Sequence, residues 1–111
     1  MSPVTTHVLD TALGKPAQGI PVALELRQAD GSWKKLGNGV TNNDGRATNL
    51  LSSEKFLAGT YRLTFDTSAY SGGRTAFFPQ VVVVFSVADP NQDYHVPVLL
   101  SPFGYSTYRG S

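Results

Sequence analysis

The sequence predicts an all-β protein, an antiparallel β-sandwich with one short helix. Three observations carry that prediction. Apolar residues alternate with a period of two in several segments, which is the repeat of a strand with one face on a core. Clusters of Gly, Asn, Asp and Pro separate those segments at short intervals. Only one brief stretch has the capping chemistry of a helix.

The elements follow in chain order. In TTHVLD (5–10), Val8 takes one face of a strand, and His7 and Leu9 take the other. In IPVALELRQ (20–28), Ile20, Val22, Leu24 and Leu26 alternate with Pro21, Ala23, Glu25 and Arg27, so the first set is predicted to face the core. Asp30-Gly31 and Asn43-Asp44-Gly45 are turn signals, the second lying between a strand that ends near Val40 and the chain after Arg46. TYRLTFD (60–66) repeats the alternation with Tyr61, Leu63 and Phe65 inward. A short helix is predicted over Thr67–Tyr70, with Gly72-Gly73 to stop it. The link SGGRTAFFPQ (71–80) carries no chemistry we would assign. VVVVFSV (81–87) is apolar on both faces, which predicts a strand covered on its second side by the same chain or by a partner subunit. Pro90-Asn91 marks another turn. The final strand, YHVPVLLS (94–101), puts His95, Pro97 and Leu99 opposite Val96 and Val98. Pro97 cannot donate to a ladder and so predicts an edge or a bulge.

Bulk properties narrow the function classes. A chain of 111 residues fits a single domain spanning 1–111. The absence of cysteine excludes a disulfide framework and a thiolate metal site. Nine Lys and Arg against eight Asp and Glu leave a net charge of +1. The basic residues are scattered, so no nucleic-acid partner is expected. No apolar run approaches the ~20 residues of a membrane span, so no membrane partner is expected either. MSPVTTHVLD lacks the basic and apolar regions of a secretory signal, and we expect a cytoplasmic protein, or a periplasmic one if a signal has been removed.

Few residues carry chemistry. His7 and His95 are the only histidines, and both are predicted to point away from the core. Histidine titrates near neutrality and suits proton transfer, but two partly exposed strand histidines also need no role. Arg46 directly follows a turn; it offers a planar charged fork for a carbonyl or anion, or is simply a solvated arginine beside Asp44. The histidines share no ligand spacing and lack an obvious third ligand, so neither a metal nor any other cofactor is expected. No nucleophile motif or phosphate loop is present. The chain end YSTYRGS is unusual, because it places Tyr105, Tyr108 and Arg109 where fraying is the rule.

The stretches 5–10, TNNDGR (41–46), GTYRLTFDTSAY (59–70) and YHVPVLLSPFGYSTYRGS (94–111) resemble the transthyretin-like family over essentially the whole chain. The combination of His7, Arg46, His95 and the terminal YRGS resembles its purine-degrading hydrolase branch rather than its hormone-carrier branch. That resemblance implies a transthyretin-like sandwich that opens the six-membered ring of 5-hydroxyisourate in urate degradation. It implies a catalytic set of His7, Arg46, His95 and Ser111, with His7, Arg46, Tyr108, Arg109 and Gly110 binding substrate. On that basis one histidine, His7 ahead of His95, takes a proton from water while Arg46 holds the developing charge. His95 orients water or relays the proton, and the Ser111 hydroxyl or carboxylate sets its tautomer. The resemblance further implies a homotetramer, a dimer of dimers, with sites in a channel where dimers meet. Two other readings stay open at this point: a non-catalytic carrier of a planar aromatic ligand, and a sandwich interaction module whose tail engages another protein.

Overall fold

The computed structural model describes residues 3–51, 55–70 and 76–111. Among the described residues nine strands form two sheets that pack face to face: β1 (Val4–Asp10), β2 (Lys15–Pro16), β3 (Pro21–Arg27), β4 (Trp33–Val40), β5 (Arg46–Ala47), β6 (Gly59–Phe65), β7 (Val81–Val87), β8 (Tyr94–Ser101) and β9 (Gly104–Thr107). One sheet runs β2-β1-β8-β9 with β5 also paired to β1, and the other runs β4-β3-β6-β7. The pairs are antiparallel except β1–β8, which runs parallel with His7 opposite Pro97 and Thr5 opposite His95. Among the described residues no helix is long and apolar enough to cross a membrane.

The alternation read from the sequence is the alternation of burial. Ile20, Val22 and Leu24 from the β3 segment, with Tyr61, Leu63 and Phe65 from β6, are buried against Val4, Val8, Val96 and Val98 of the facing sheet. Two inner faces with period-two apolar residues have only each other to bury against, which makes the sandwich. The helix is a single 3₁₀ turn, Thr67–Ala69, capped by the Asp66 carboxylate, which accepts from the Ala69 N–H. The predicted Gly72-Gly73 stop lies outside the described residues.

Of two expectations about individual strands, one is narrowed and one is corrected. Strand β7 buries Val81 and Val87, and Val83 and Phe85 pack on the core, but the described residues leave its second face open: Val82 is 41% and Val84 55% exposed. Pro97 lies neither at an edge nor at a bulge. Strand β8 is an inner strand, with β1 on one side and β9 on the other. The His95 carbonyl accepts from the Gly110 N–H, so the Pro97 nitrogen, two residues on, faces the same C-terminal segment. The β8–β9 ladder accordingly stops at Val98–Thr107 and resumes only at the isolated His95–Gly110 bridge. The missing N–H becomes a gap in the ladder instead of excluding the strand from the sheet.

Candidate active site

Each proposed polar group has a local reason for its position. Arg46 follows a tight turn in which the Gly45 N–H donates to the Asn42 carbonyl and the Asn42 N–H donates to the Arg46 carbonyl. The Asn42 side-chain oxygen accepts from both the Asp44 and Arg46 N–H groups, so it ties the turn to the first residue of β5. Gly45 has φ 76°, and a Cβ there would lie 2.4 Å from the Val8 carbonyl oxygen; only glycine fits. The Val8 N–H in turn donates to the Gly45 carbonyl, which docks the turn on β1 beside His7. Arg46 then pairs directly with His7 across β5–β1.

His7 and His95 stand on neighbouring strands. Val4, Thr6, Val8 and Asp10 of β1 are buried, so Thr5, His7 and Leu9 occupy its outer face. Tyr94, Val96 and Val98 of β8 are buried, and His95 and Leu99 are only half-buried. The parallel register puts His95 two residues back from the position opposite His7, a diagonal of roughly 8 Å from ordinary strand spacing and rise. Arg46, His7 and His95 therefore share the outer face of one sheet on three adjacent strands.

Thr5 was not singled out from the sequence, yet its Oγ1 lies 2.8 Å from His95 Nδ1. The β1–β8 ladder places Thr5 directly opposite His95, so its hydroxyl contacts the ring nitrogen on that side. Burial pushes the His95 pKa below its ordinary value, and the positive charge of Arg46 and then that of His7 push it in the same direction. His95 is held neutral at pH values where a free imidazole would still be partly protonated.

The C-terminal segment lies along β8. Gly110 is bridged to His95, and a Cβ on it would meet the imidazole Cδ2 at 2.6 Å. Ser111 follows one residue beyond that bridge. Tyr108 is 58% exposed. Arg109 does not face outward with them: its guanidinium stacks 4.4 Å from the Tyr94 ring centroid and donates to Gln92 Oε1 at 3.0 Å. Tyr94 and Gln92, like Thr5 and Asn42, escaped the sequence reading. A Thr two residues before His7 shares its face by period two, but the partner it finds there is set by a long-range register.

Among the described residues no group of three or more His, Cys, Asp or Glu side chains could hold a metal ion. A cleft beyond the end of β1 is lined by Asp10, Thr67, Tyr70, Phe78 and Leu100. Its Asp10 carboxylate accepts from the Ala12 and Leu13 N–H groups and from the Tyr70 hydroxyl, a structural arrangement that ties the loop after β1 to the 3₁₀ turn.

A sequence model of the HIUase/Transthyretin family matches residues 4–110. The chain is 49% identical over 99% of its length to 5-hydroxyisourate hydrolase of Mus musculus, covering 96% of that protein. Among solved structures, 5-hydroxyisourate hydrolase of Klebsiella pneumoniae is 37% identical, with a TM-score of 0.84 and all of both chains covered. Sea bream transthyretin in complex with thyroxine is also 37% identical, with a TM-score of 0.89 over 98% of this chain and 95% of that one. The family model and the similarities in sequence and fold agree, and the chain belongs to the HIUase/transthyretin family.

Proposed function

We propose that this protein hydrolyses 5-hydroxyisourate, opening its six-membered ring to 2-oxo-4-hydroxy-4-carboxy-5-ureidoimidazoline. The observation that carries the proposal is the grouping of Arg46, His7 and His95 on one outer sheet face, beside a C-terminal segment docked on the same strand. The name of the mouse relative supports it.

Ring opening adds water across a ring C–N bond: the water oxygen bonds to the carbonyl carbon, and the nitrogen leaves with a proton. That requires a base for water, a cation for the developing oxyanion and an acid for the leaving nitrogen. Two observations favour His95 as the base, reversing the order given from the sequence. Its lowered pKa keeps it neutral, and its Nδ1 is engaged by Thr5. With Nδ1–H donating to Thr5 Oγ1, the Nε2 lone pair is left to accept the proton from water. The resulting imidazolium returns that proton to the leaving nitrogen, so His95 is regenerated and the net change is one added water. Arg46 holds the oxyanion with its fixed charge. His7, between Arg46 and β8, binds the substrate and completes the proton path. The exposed Tyr108 ring offers a flat wall to a planar heterocycle, and Ser111 adds a hydroxyl beyond Gly110.

A homotetramer, a dimer of dimers with sites at the dimer–dimer interface, is part of the proposal. The bare outer valines of edge strand β7 and the open edge of β9 support it. Light scattering reads the mass directly.

The deciding experiment follows the ultraviolet absorbance of freshly generated 5-hydroxyisourate with and without catalytic amounts of protein. Removing a true general base costs about 100- to 10,000-fold. Accelerated decay that His95→Ala abolishes supports hydrolysis with His95 in the site. Decay at the spontaneous rate, together with tight thyroxine binding, would move the protein to the carrier branch, to whose fold this chain is also similar.

A further inference from the structure

Arg109 and Gly110 are neighbours in sequence but lie on opposite sides of the sheet. The His95–Gly110 bridge shares the antiparallel register of the β8–β9 ladder, which sets Gly110 against outward-facing His95 and Arg109 against buried Val96. The Arg109 side chain consequently runs toward Tyr94, a residue of the core face that is only 5% exposed. There the guanidinium lies over the ring at 4.4 Å and donates to Gln92 Oε1 and, more loosely, to the Asp93 carbonyl at 3.5 Å. Tyr94 is itself held rigidly: its hydroxyl donates to the Asp89 carbonyl, its N–H donates to the Pro3 carbonyl, and its ring contacts Phe56 and Phe85.

Arg109 thus finds protein partners, the Tyr94 ring, Gln92 and the Asp93 carbonyl, on the face away from Arg46, His7 and His95. On the near face, Gly110 approaches the His95 ring so closely that even a methyl group would displace it. We infer that Arg109 is a positioning residue, not a substrate contact: its stack on Tyr94 and bond to Gln92 clamp the C-terminal segment from behind the sheet, so that Gly110 closes against His95 and confines the imidazole between the chain end and Thr5. This departs from the substrate-binding role implied for Arg109 by resemblance. It rests on His95 being the working group of the proposed hydrolase.

The test compares Arg109→Ala, Arg109→Lys, Gln92→Ala, Tyr94→Leu and Tyr94→Phe in the full-length protein. A cation–π stack of this kind corresponds to about 2- to 30-fold in rate if all of it is expressed in turnover. The clamp predicts a fall of that size in kcat for Arg109→Ala and Tyr94→Leu, with KM little changed. It predicts no further loss when Arg109→Ala and Tyr94→Leu are combined in one chain. Tyr94→Phe, which keeps the ring face, and Arg109→Lys, which keeps the cation, should recover part of the rate. A raised KM at near-normal kcat for Arg109→Ala, with Gln92→Ala and Tyr94→Leu unaffected, would overturn it in favour of substrate contact.

Two readouts do not depend on turnover or on a folded Tyr94→Leu. In Gln92→Ala and Arg109→Ala, the His95 Cδ2–Hδ2 NMR signal should shift, and carboxypeptidase Y should release Ser111 faster than from the unaltered protein. If both are unchanged in both variants, there is no clamp. If both change while 5-hydroxyisourate decays at its spontaneous rate, the clamp stands and the hydrolase reading fails.

Discussion

Thr5 Oγ1 and His95 Nδ1 meet at 2.8 Å across 90 residues of sequence, through the parallel register of β1 on β8. The contact engages Nδ1 and leaves Nε2 toward the open face of the sheet; in the mechanism proposed above, Nδ1 carries the proton and donates to the Thr5 hydroxyl. Replacing Thr5 with Val keeps the β-branched shape and removes only the hydroxyl. A neutral hydrogen bond of about 0.5–1.5 kcal/mol corresponds to roughly 2- to 12-fold in rate, so Thr5→Val should lower kcat by that amount with little change in melting temperature. Nitrogen-15 NMR of the His95 ring should show a mixture of tautomers where the unaltered protein shows one.

The pH dependence follows from the direction of the His95 shift. A base must be neutral, so kcat/KM falls as pH drops through the His95 pKa, and that acid limb should lie below the ordinary value of about 6.5. Arg46→Gln removes one charge that lowers the pKa. In that variant the His95 NMR titration should move upward toward 6.5, while the effect of burial remains. Stability has the same sign: the unfolded chain takes up the proton first, so unfolding free energy falls as pH drops below about 6.5.

Gly45→Ala tests how Arg46 is aimed. The left-handed backbone alone costs about 1–2 kcal/mol for a residue with a Cβ, and the 2.4 Å approach to the Val8 carbonyl adds to it. A melting temperature lower by roughly 5–15 °C is expected for a domain of this size. Turnover at a temperature where the variant is folded should fall as well, since the same turn docks Arg46 beside His7. Full activity in a destabilised Gly45→Ala protein would separate the turn from the site.

Removing Arg109, Gly110 and Ser111 should separate site from fold in the other direction. None of the three belongs to the buried core. Their loss removes the Tyr94 stack and a few exposed hydrogen bonds but no core side chain, so the β-type circular dichroism should hardly change and the melting temperature should fall by only roughly 5–15 °C. Turnover should drop at least tenfold, because the imidazole of His95 loses its cover. Normal turnover in the shortened chain would show that the C-terminal segment has no part in the site.

The sequence by itself determined the sandwich. Period-two runs at 20–28 and 60–66 assign their own inward faces, since a strand's side chains alternate whatever lies next to it. The same rule placed His7 and His95 off the core, and Asn-Asp-Gly announced the turn before Arg46 because few residues other than glycine accept its backbone. Which strands become neighbours is a different kind of fact. The parallel pairing of β1 with β8, the inner position of Pro97, and the meeting of Thr5 with His95 depend on how two sheets bury a shared core, and no local pattern encodes that register. Arg109 shows the same division within one dipeptide. Its charge was plain from the chain, but the side of the sheet it serves was decided only when the C-terminal segment paired with β8 and turned its guanidinium toward Tyr94.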